Sequence, residues 1–283
     1  MAGKLVLCAT PIGNLEDMPE RTVRALKEAD LIAAEDTRNS IRLLTHFDIH
    51  TPMTAYHENN RYDKGRELLE RMKEGAVVAL ITDAGTPGIS DPGEALVAMC
   101  CEAGIDVTAV PGPAACITAL IISGLPTRRF VFEAFLPTDK KERRGILDSL
   151  KTETRTMIIY EAPHRLRKTL PELRDVFGGS RRIALCRELT KIHEEVQRTT
   201  LDGACRIYEE REPRGEYVLV IEGRNPEEAE AEKKQAWEAL SVEEHLQRYL
   251  DQGLDRKEAM KAVARDRGVG KREIYRYLVD HGA

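Results

Sequence analysis

Long apolar runs are scarce in this chain of 283 residues. The longest, Ala114–Ile122, is interrupted by Thr118 and falls well short of the roughly 18 residues a membrane-spanning helix needs. The opening Met1–Thr10 carries one lysine and only a short apolar stretch. It reads as a first strand and not a secretory signal, so a cytoplasmic protein is expected. Cysteines number six, none of them in a CxxC pair and most inside apolar segments. That argues against a zinc or disulfide framework and favours buried thiols in a reducing compartment. His46, His57, His164 and His193 lack close metal-ligand spacing, so no metal is assigned. Neither GxGxxG nor a Walker A lysine loop is present, which disfavours phosphate cradling by a glycine-rich turn. A net charge of -5 rules out a uniformly basic nucleic-acid binder.

The charge is unevenly distributed, however. Arg128–Lys168 holds eleven basic residues against six acidic, and Leu254–Arg276 eight against four. Asn225–Glu244 carries seven glutamates and two lysines. A solvated helix face accounts for such runs as well as a binding surface does.

Up to about residue 223 the chain alternates between short apolar runs and amphipathic stretches. Ala76–Ile81, Ile105–Val110, Thr156–Tyr160, Arg182–Cys186 and Tyr217–Ile221 are apolar without alternation, as strands covered on both faces are. Helices are predicted over Pro19–Ala29 and Asp63–Glu74. This predicts an α/β fold with mostly parallel sheets, divided into domains at 1–123 and 124–224. Residues 225–283 form a third segment, an acidic linker followed by a helix-turn-helix-like appendage. Within it Ser241-Val-Glu-Glu244 is a capping box, and helices are predicted over Asp255–Arg267 and Lys271–Asp280 around Gly268-Val-Gly270.

The loops after the strands carry the chemistry. Thr82-Asp-Ala-Gly-Thr-Pro-Gly-Ile-Ser-Asp-Pro-Gly93 leaves a buried strand at the end where open α/β sheets form ligand crevices. Gly85 and Gly88 admit a close backbone approach, and Asp91-Pro92 reads as N-cap and first position of the next helix. Val110-Pro-Gly-Pro-Ala-Ala115 repeats the arrangement one strand later. In the second half, polar clusters follow or precede strands at Tyr160–Arg165, Arg187–Glu195 and Arg214–Tyr217. Polar clusters at strand ends in both halves point to a cleft between them.

Nine segments in order resemble the tetrapyrrole-methylase (class III) methyltransferases, and among these the members that act on ribosomal RNA. They are Ala9–Asp17, Ala34–Arg38, His57–Asn60, Ile81–Pro92, Val110–Ala114, Phe135–Pro137, Tyr160–Arg165, Arg187–Lys191 and Gly215–Tyr217. The resemblance implies two α/β domains enclosing S-adenosyl-L-methionine, a homodimer, and 2′-O-methylation of a cytidine in 16S rRNA or the assembled small subunit. It places Asp83, Ala84, Gly85, Ile89 and Ser90 on the methionine and ribose side of the cofactor. Pro111, Ala114, Phe135, Glu161, Ala162, Glu188, Gly215 and Glu216 are expected around the adenosine and sulfonium. Pro11, Asn14, Arg38, Arg143, Arg144, His164 and Arg165 are expected on the substrate side.

A ribose 2′-hydroxyl is a weak acid, so a general base assists its attack. Glu35, Asp36, His57, Glu58 and Lys191 are the candidates, with Glu35 and Asp36 leading because they follow a short strand; Asp36 could equally cap the next helix. Two rival readings stand beside this one. A methylase of a tetrapyrrole precursor would share the cofactor loops but has no reason for a basic helical tail. A non-catalytic nucleic-acid-binding regulator would leave the clefts unexplained.

Overall fold

The computed structural model describes residues 3–227, 237 and 240–280. The chain divides into two compact units. The first runs to Glu222 apart from Thr152–Thr154, and the second comprises that short piece and the chain from Gly223 onward.

The first unit contains two five-stranded sheets. In one, β1 (Lys4–Cys8), β2 (Leu31–Ala34), β3 (Met53–Ala55), β4 (Val77–Ile81) and β5 (Asp106–Val110) run in the order β3-β2-β4-β1-β5. All four pairings are parallel. The central strands are apolar at nearly every position because both faces are covered, one around Leu26, Ile32 and Ile81 and the other around Leu5, Leu68 and Leu96. Helices α1 (Glu20–Glu28), α2 (Thr37–His46), α3 (Arg61–Lys73) and α4 (Gly93–Glu102) make the crossovers.

The second sheet has the order β6-β7-β10-β8-β9, from β6 (Phe130–Phe135), β7 (Thr156–Glu161), β8 (Arg182–Arg187), β9 (Glu195–Thr200) and β10 (Tyr217–Ile221). Only β6 and β7 are parallel; the other three pairings are antiparallel. The expectation of mostly parallel sheets therefore holds for one sheet and fails for the other. A strand buried on both faces reads as a continuous apolar run whatever the direction of its neighbours, so Tyr217–Ile221 gave no hint of its antiparallel pairing. Strands β3, β5, β6 and β9 lie at sheet edges, and β5, expected to be covered on both faces, exposes Asp106, Thr108 and Ala109 because it pairs on one side only.

One helix joins the two halves. α5 (Ala115–Ile122) leaves β5 of the first sheet but packs Cys116, Ala119 and Leu120 against Ile158, Ala184 and Val220 of the second. The other face of that sheet is covered by α6 (Lys140–Leu150), α7 (Pro163–Phe177) and α8 (Leu201–Glu210), through Leu147, Leu170 and Leu201.

In the second unit, α9 (Val242–Asp251), α10 (Arg256–Arg267) and α11 (Lys271–Asp280) gather around Val242, Leu246, Val263, Ile274 and Leu278. The capping box is formed, with Ser241 Oγ accepting from Glu244 N–H and Glu244 accepting from Ser241 N–H. Gly268 ends α10 in the left-handed region at φ 65°. Most of the acidic linker, at 228–236 and 238–239, lies outside the described residues.

Candidate functional site

The sheet order brings the informative loops together. β4, β1 and β5 are neighbours, so the loops leaving their C-terminal ends converge although they are far apart in sequence. Thr10 and Gly85 pair across the gap through two backbone hydrogen bonds of 2.8 and 3.1 Å. Gly85 holds φ at 84°, and a Cβ there would meet the Ile12 side chain at 3.2 Å.

The next turn is organised by Asp91, whose carboxylate accepts N–H groups from Gly88, Ile89 and Gly93. Burial raises this carboxyl even against those donors. Asp91 thus turns back into its own loop, and Pro92 takes the N-cap position that the sequence pattern assigns to Asp91. Ser90, at φ 66°, is the strained residue that allows the turn.

On the second sheet the antiparallel register sets Tyr217, the first residue of β10, beside Glu161 of β7 and Arg187 of β8. Glu161-Ala162, Glu188-Leu189 and Gly215-Glu216 consequently lie at one end of the sheet. Between Phe132 and Phe135 the β6 register slips, with Ala134 at φ 49°, and Phe135 is left half exposed with its ring centre 5.5 Å from that of Tyr160.

These strand ends enclose a cavity of about 460 Å³. Of the expected cofactor residues, Ala84, Gly85, Ile89, Ala114, Phe135, Glu161, Ala162 and Glu216 line it. Asp83, Ser90, Pro111, Glu188 and Gly215 are not among the lining residues. Ile12, Thr86, Ala115, Cys116, Tyr160, Pro163, Cys186, Leu189, Tyr217 and Val218 also line it and were missed by sequence reasoning. Apolar side chains of this kind look like any core residue in sequence, and only the closeness of the loops marks them. Tyr160 carries a specific task. Its hydroxyl accepts from Cys116 N–H at 3.2 Å in the first turn of α5, and burial pushes the phenol above its ordinary range. It therefore stays a neutral hydroxyl and pins the connecting helix to the second sheet.

None of the proposed bases lines this cavity. Glu35 lies at the end of β2 and accepts from Thr82 Oγ1 at 2.6 Å. Asp83, on the adjacent strand end, is raised by burial and then by the Glu35 charge, and receives Asp36 N–H at 3.2 Å. Asp36 caps α2 by accepting from Arg38 N–H at 2.8 Å and pairs with the exposed Arg38 guanidinium. Those hydrogen bonds hold its carboxyl down at about 2. His57 is partly buried, its Nδ1 without a hydrogen-bond partner, while Glu58 pairs with Arg61 at 2.5 Å.

Lys191 is clamped between Glu188 and Glu216 at 2.9 and 2.8 Å, and its stem packs over Gly13. Burial pulls its pKa down, but the hydrogen bonds to both carboxylates outweigh that and raise it. A lysine held protonated in this way is a poor proton acceptor at neutral pH.

The expected substrate residues are scattered. Asn14 accepts from Glu16 N–H in the loop after β1, near Pro11, and Arg38 is exposed at the start of α2. His164 lines the cavity. Arg144 is exposed and pairs with Asp148 at 3.0 Å. Arg165 donates to Leu136 and Pro137 carbonyls, bracing the loop after β6. Arg143, expected on an exposed basic face, is instead buried against Glu172 and Thr169. A charge run on an amphipathic helix hides the one cation that turns inward.

Comparison with known proteins follows the same lines. The model of the Tetrapyrrole (Corrin/Porphyrin) Methylases matches residues 4–205. A curated relative from Halalkalibacterium halodurans, "Ribosomal RNA small subunit methyltransferase I", is 50% identical over 273 residues, 96% of this chain and 93% of that one. A protein of the same name from Thermotoga maritima is 43% identical over 222 residues, 78% of this chain and 99% of its own length. Among solved structures, uroporphyrin-III C-methyl transferase from Thermus thermophilus complexed with S-adenyl homocysteine has a TM-score of 0.55 at 19% identity, covering 78% of this chain and 97% of that one.

Proposed function

The chain belongs to the tetrapyrrole methylase family, and from that membership we propose that it methylates small-subunit ribosomal RNA with S-adenosylmethionine, at the 2′-oxygen of a cytidine ribose. The observation that carries this is the 50% identity to a relative so named, and the convergence of the matched loops on one cavity supports it. Likeness to an enzyme of tetrapyrrole chemistry stands at only 19%.

The cavity suits the cofactor. Its volume falls within the roughly 300–1,000 Å³ of small-molecule sites. Its walls are mainly apolar, with the carboxylates Glu161 and Glu216 and backbone groups as polar points, and the lining contains no lysine or arginine to demand a phosphate. Bound S-adenosylmethionine supplies a methyl group already activated on a sulfonium, so no metal is needed for the chemistry.

The protein's own work is positioning. Phe135, Tyr160, Leu189 and Val218 exclude water, and the Asp91-ordered turn fixes Ala84–Ile89 against the ligand. Holding the ribose oxygen in line supplies several kcal/mol of the acceleration. Glu35 is the favoured proton acceptor, because its neighbour Asp36 is occupied by Arg38 and Lys191 stays charged. Burial and then the Glu35 charge raise the neighbouring Asp83 carboxyl.

The C-terminal unit is proposed as an RNA-binding appendage: Arg272, Tyr275, Arg276 and Val279 are all exposed at helical spacing along α11. We place the enzyme in the cytoplasm, with the ribosomal RNA it is proposed to modify; among the described residues no helix is long and apolar enough to cross a membrane. A homodimer is proposed as well; Ile117 and Ile121 on α5 are exposed in the single chain, and β5 is an unpaired sheet edge. Mass analysis of rRNA from a strain lacking the gene tests the function. Loss of one ribose methylation, restored by the wild-type gene, is expected; an unchanged methylation map overturns the reading.

A further inference from the structure

A second cavity, of about 700 Å³, lies between α6 and α7 in the first unit, and methyl transfer as described above makes no use of it. Its lining includes five cations, Lys140, Arg143, Arg144, Arg165 and Lys168, against two carboxylates, Glu172 and Asp175. Both carboxylates are already engaged, Glu172 by Arg143 at 2.6 Å and Asp175 by Arg174 at 3.1 Å. Arg143 is more than nine-tenths buried, and its Nη1 has no hydrogen-bond partner. Exposed Lys140 and Lys168 have neither an ion pair nor a side-chain hydrogen bond among the described residues. Arg144 and Arg165 are paired with Asp148 and Glu161, so the cations this concave site leaves unneutralised are Lys140 and Lys168, together with the unpartnered Nη1 of Arg143. Such a site favours an anion with several acceptor oxygens.

Location decides which anion. His164 lines both this groove and the cofactor cavity, so the two adjoin. They also share a buried carboxylate: Glu161, in the cofactor cavity wall, lies 3.5 Å from Arg165 Nε and 4.0 Å from Arg143 Nη2 in the groove wall. An occupant of the groove would sit beside the ligand of the first cavity.

We propose that this groove binds backbone phosphates of the RNA strand next to the nucleotide being methylated, with Lys140 and Lys168 reaching the phosphates and Arg143 as the fixed floor. This rests on the reading of the protein as an RNA methyltransferase. Binding through phosphates fixes register without reading sequence, which is what a groove flanking a reaction centre must do.

The test uses the full-length protein carrying Lys140→Ala and Lys168→Ala, both exposed positions. RNA affinity for small-subunit rRNA is measured across salt concentrations, with methylation kinetics and cofactor calorimetry beside it. Affinity is expected to fall about tenfold or more. The slope of log affinity against log salt should flatten by about 0.7–0.9 for each phosphate that the variant no longer neutralises. KM for RNA should rise while cofactor affinity holds. Unchanged RNA affinity and slope overturn the proposal, as does a loss of cofactor affinity, which would assign the lysines to the first cavity. Calorimetry with inorganic phosphate separates a free-anion site: phosphate binding abolished in the variant with RNA affinity intact also overturns it. Failure of the wild-type enzyme to methylate the RNA would instead overturn the functional reading itself.

Discussion

At the scale of single residues, neighbouring acids have been given different work by their partners. Asp36 is a helix cap with its carboxyl held at about 2 by Arg38, whereas Glu35 faces Thr82 and Asp83. Asp36→Ala should lower the melting temperature and leave single-turnover rates near the parental value. Glu35→Gln should fold, bind both ligands and lose turnover by about 100- to 10,000-fold, the range for a lost general base. Equal rates for both variants would move the base to His57, whose Nδ1 is unpartnered. Tyr160 allows a second comparison. Tyr160→Phe keeps the ring packing with Phe132 and Phe135 but leaves the Cys116 N–H without its acceptor. A loss of about 1–3 kcal/mol is expected, with weaker cofactor binding, measurable by denaturant unfolding and calorimetry.

Elements add a second level, because loops and strand pairs set these residues in place. The loop after β4 depends on Gly85 at φ 84°, a conformation that strains a β-branched residue severely. Gly85→Val should abolish cofactor binding by straining the Thr10 pairing and crowding Ile12; calorimetry showing parental affinity would remove this loop from the site. On the second sheet, Glu195 of β9 accepts from Arg211 and Arg187 and is held at about 2 by those partners despite some burial. A depressed carboxyl stabilises the fold above its unfolded value near 4.5, and that stabilisation is lost as pH falls toward 2. Glu195→Gln should thus lower thermal stability at pH 7, and the gap from wild type should close between about pH 4.5 and 2. Constant separation of the two melting curves across that window would count against the assignment.

For the whole molecule, the relevant fact is that each unit has its own core. The tail gathers around Val263 and Ile274, while the first unit buries its apolar residues on the faces of two sheets. The Thermotoga maritima relative matches over 99% of its length yet covers only 78% of this chain. A chain ending at Glu222 is therefore expected to fold and to bind S-adenosylmethionine with parental affinity, while binding rRNA more weakly and with a flatter salt dependence. Calorimetry and salt-dependent RNA binding check the two halves of that statement separately. Parental RNA affinity in the truncated chain would show that the α11 face is a solvated surface.

Much of the local structure was legible in the sequence because it depends on local chemistry. Ser241 and Glu244 cap a helix, Gly268 ends another, and Val77–Ile81 has no polar position to offer to water; each fact is complete within a few residues. The glycine and proline loops that line the first cavity were legible for the same reason. What required the tertiary structure was everything fixed by partners distant in the chain. The antiparallel setting of β10, the bond from Cys116 to Tyr160, the inward turn of Arg143 and the protonated clamp on Lys191 all join residues brought together only by folding. A side chain's charge state and accessibility are properties of its surroundings, and those surroundings exist only once the sheets have packed.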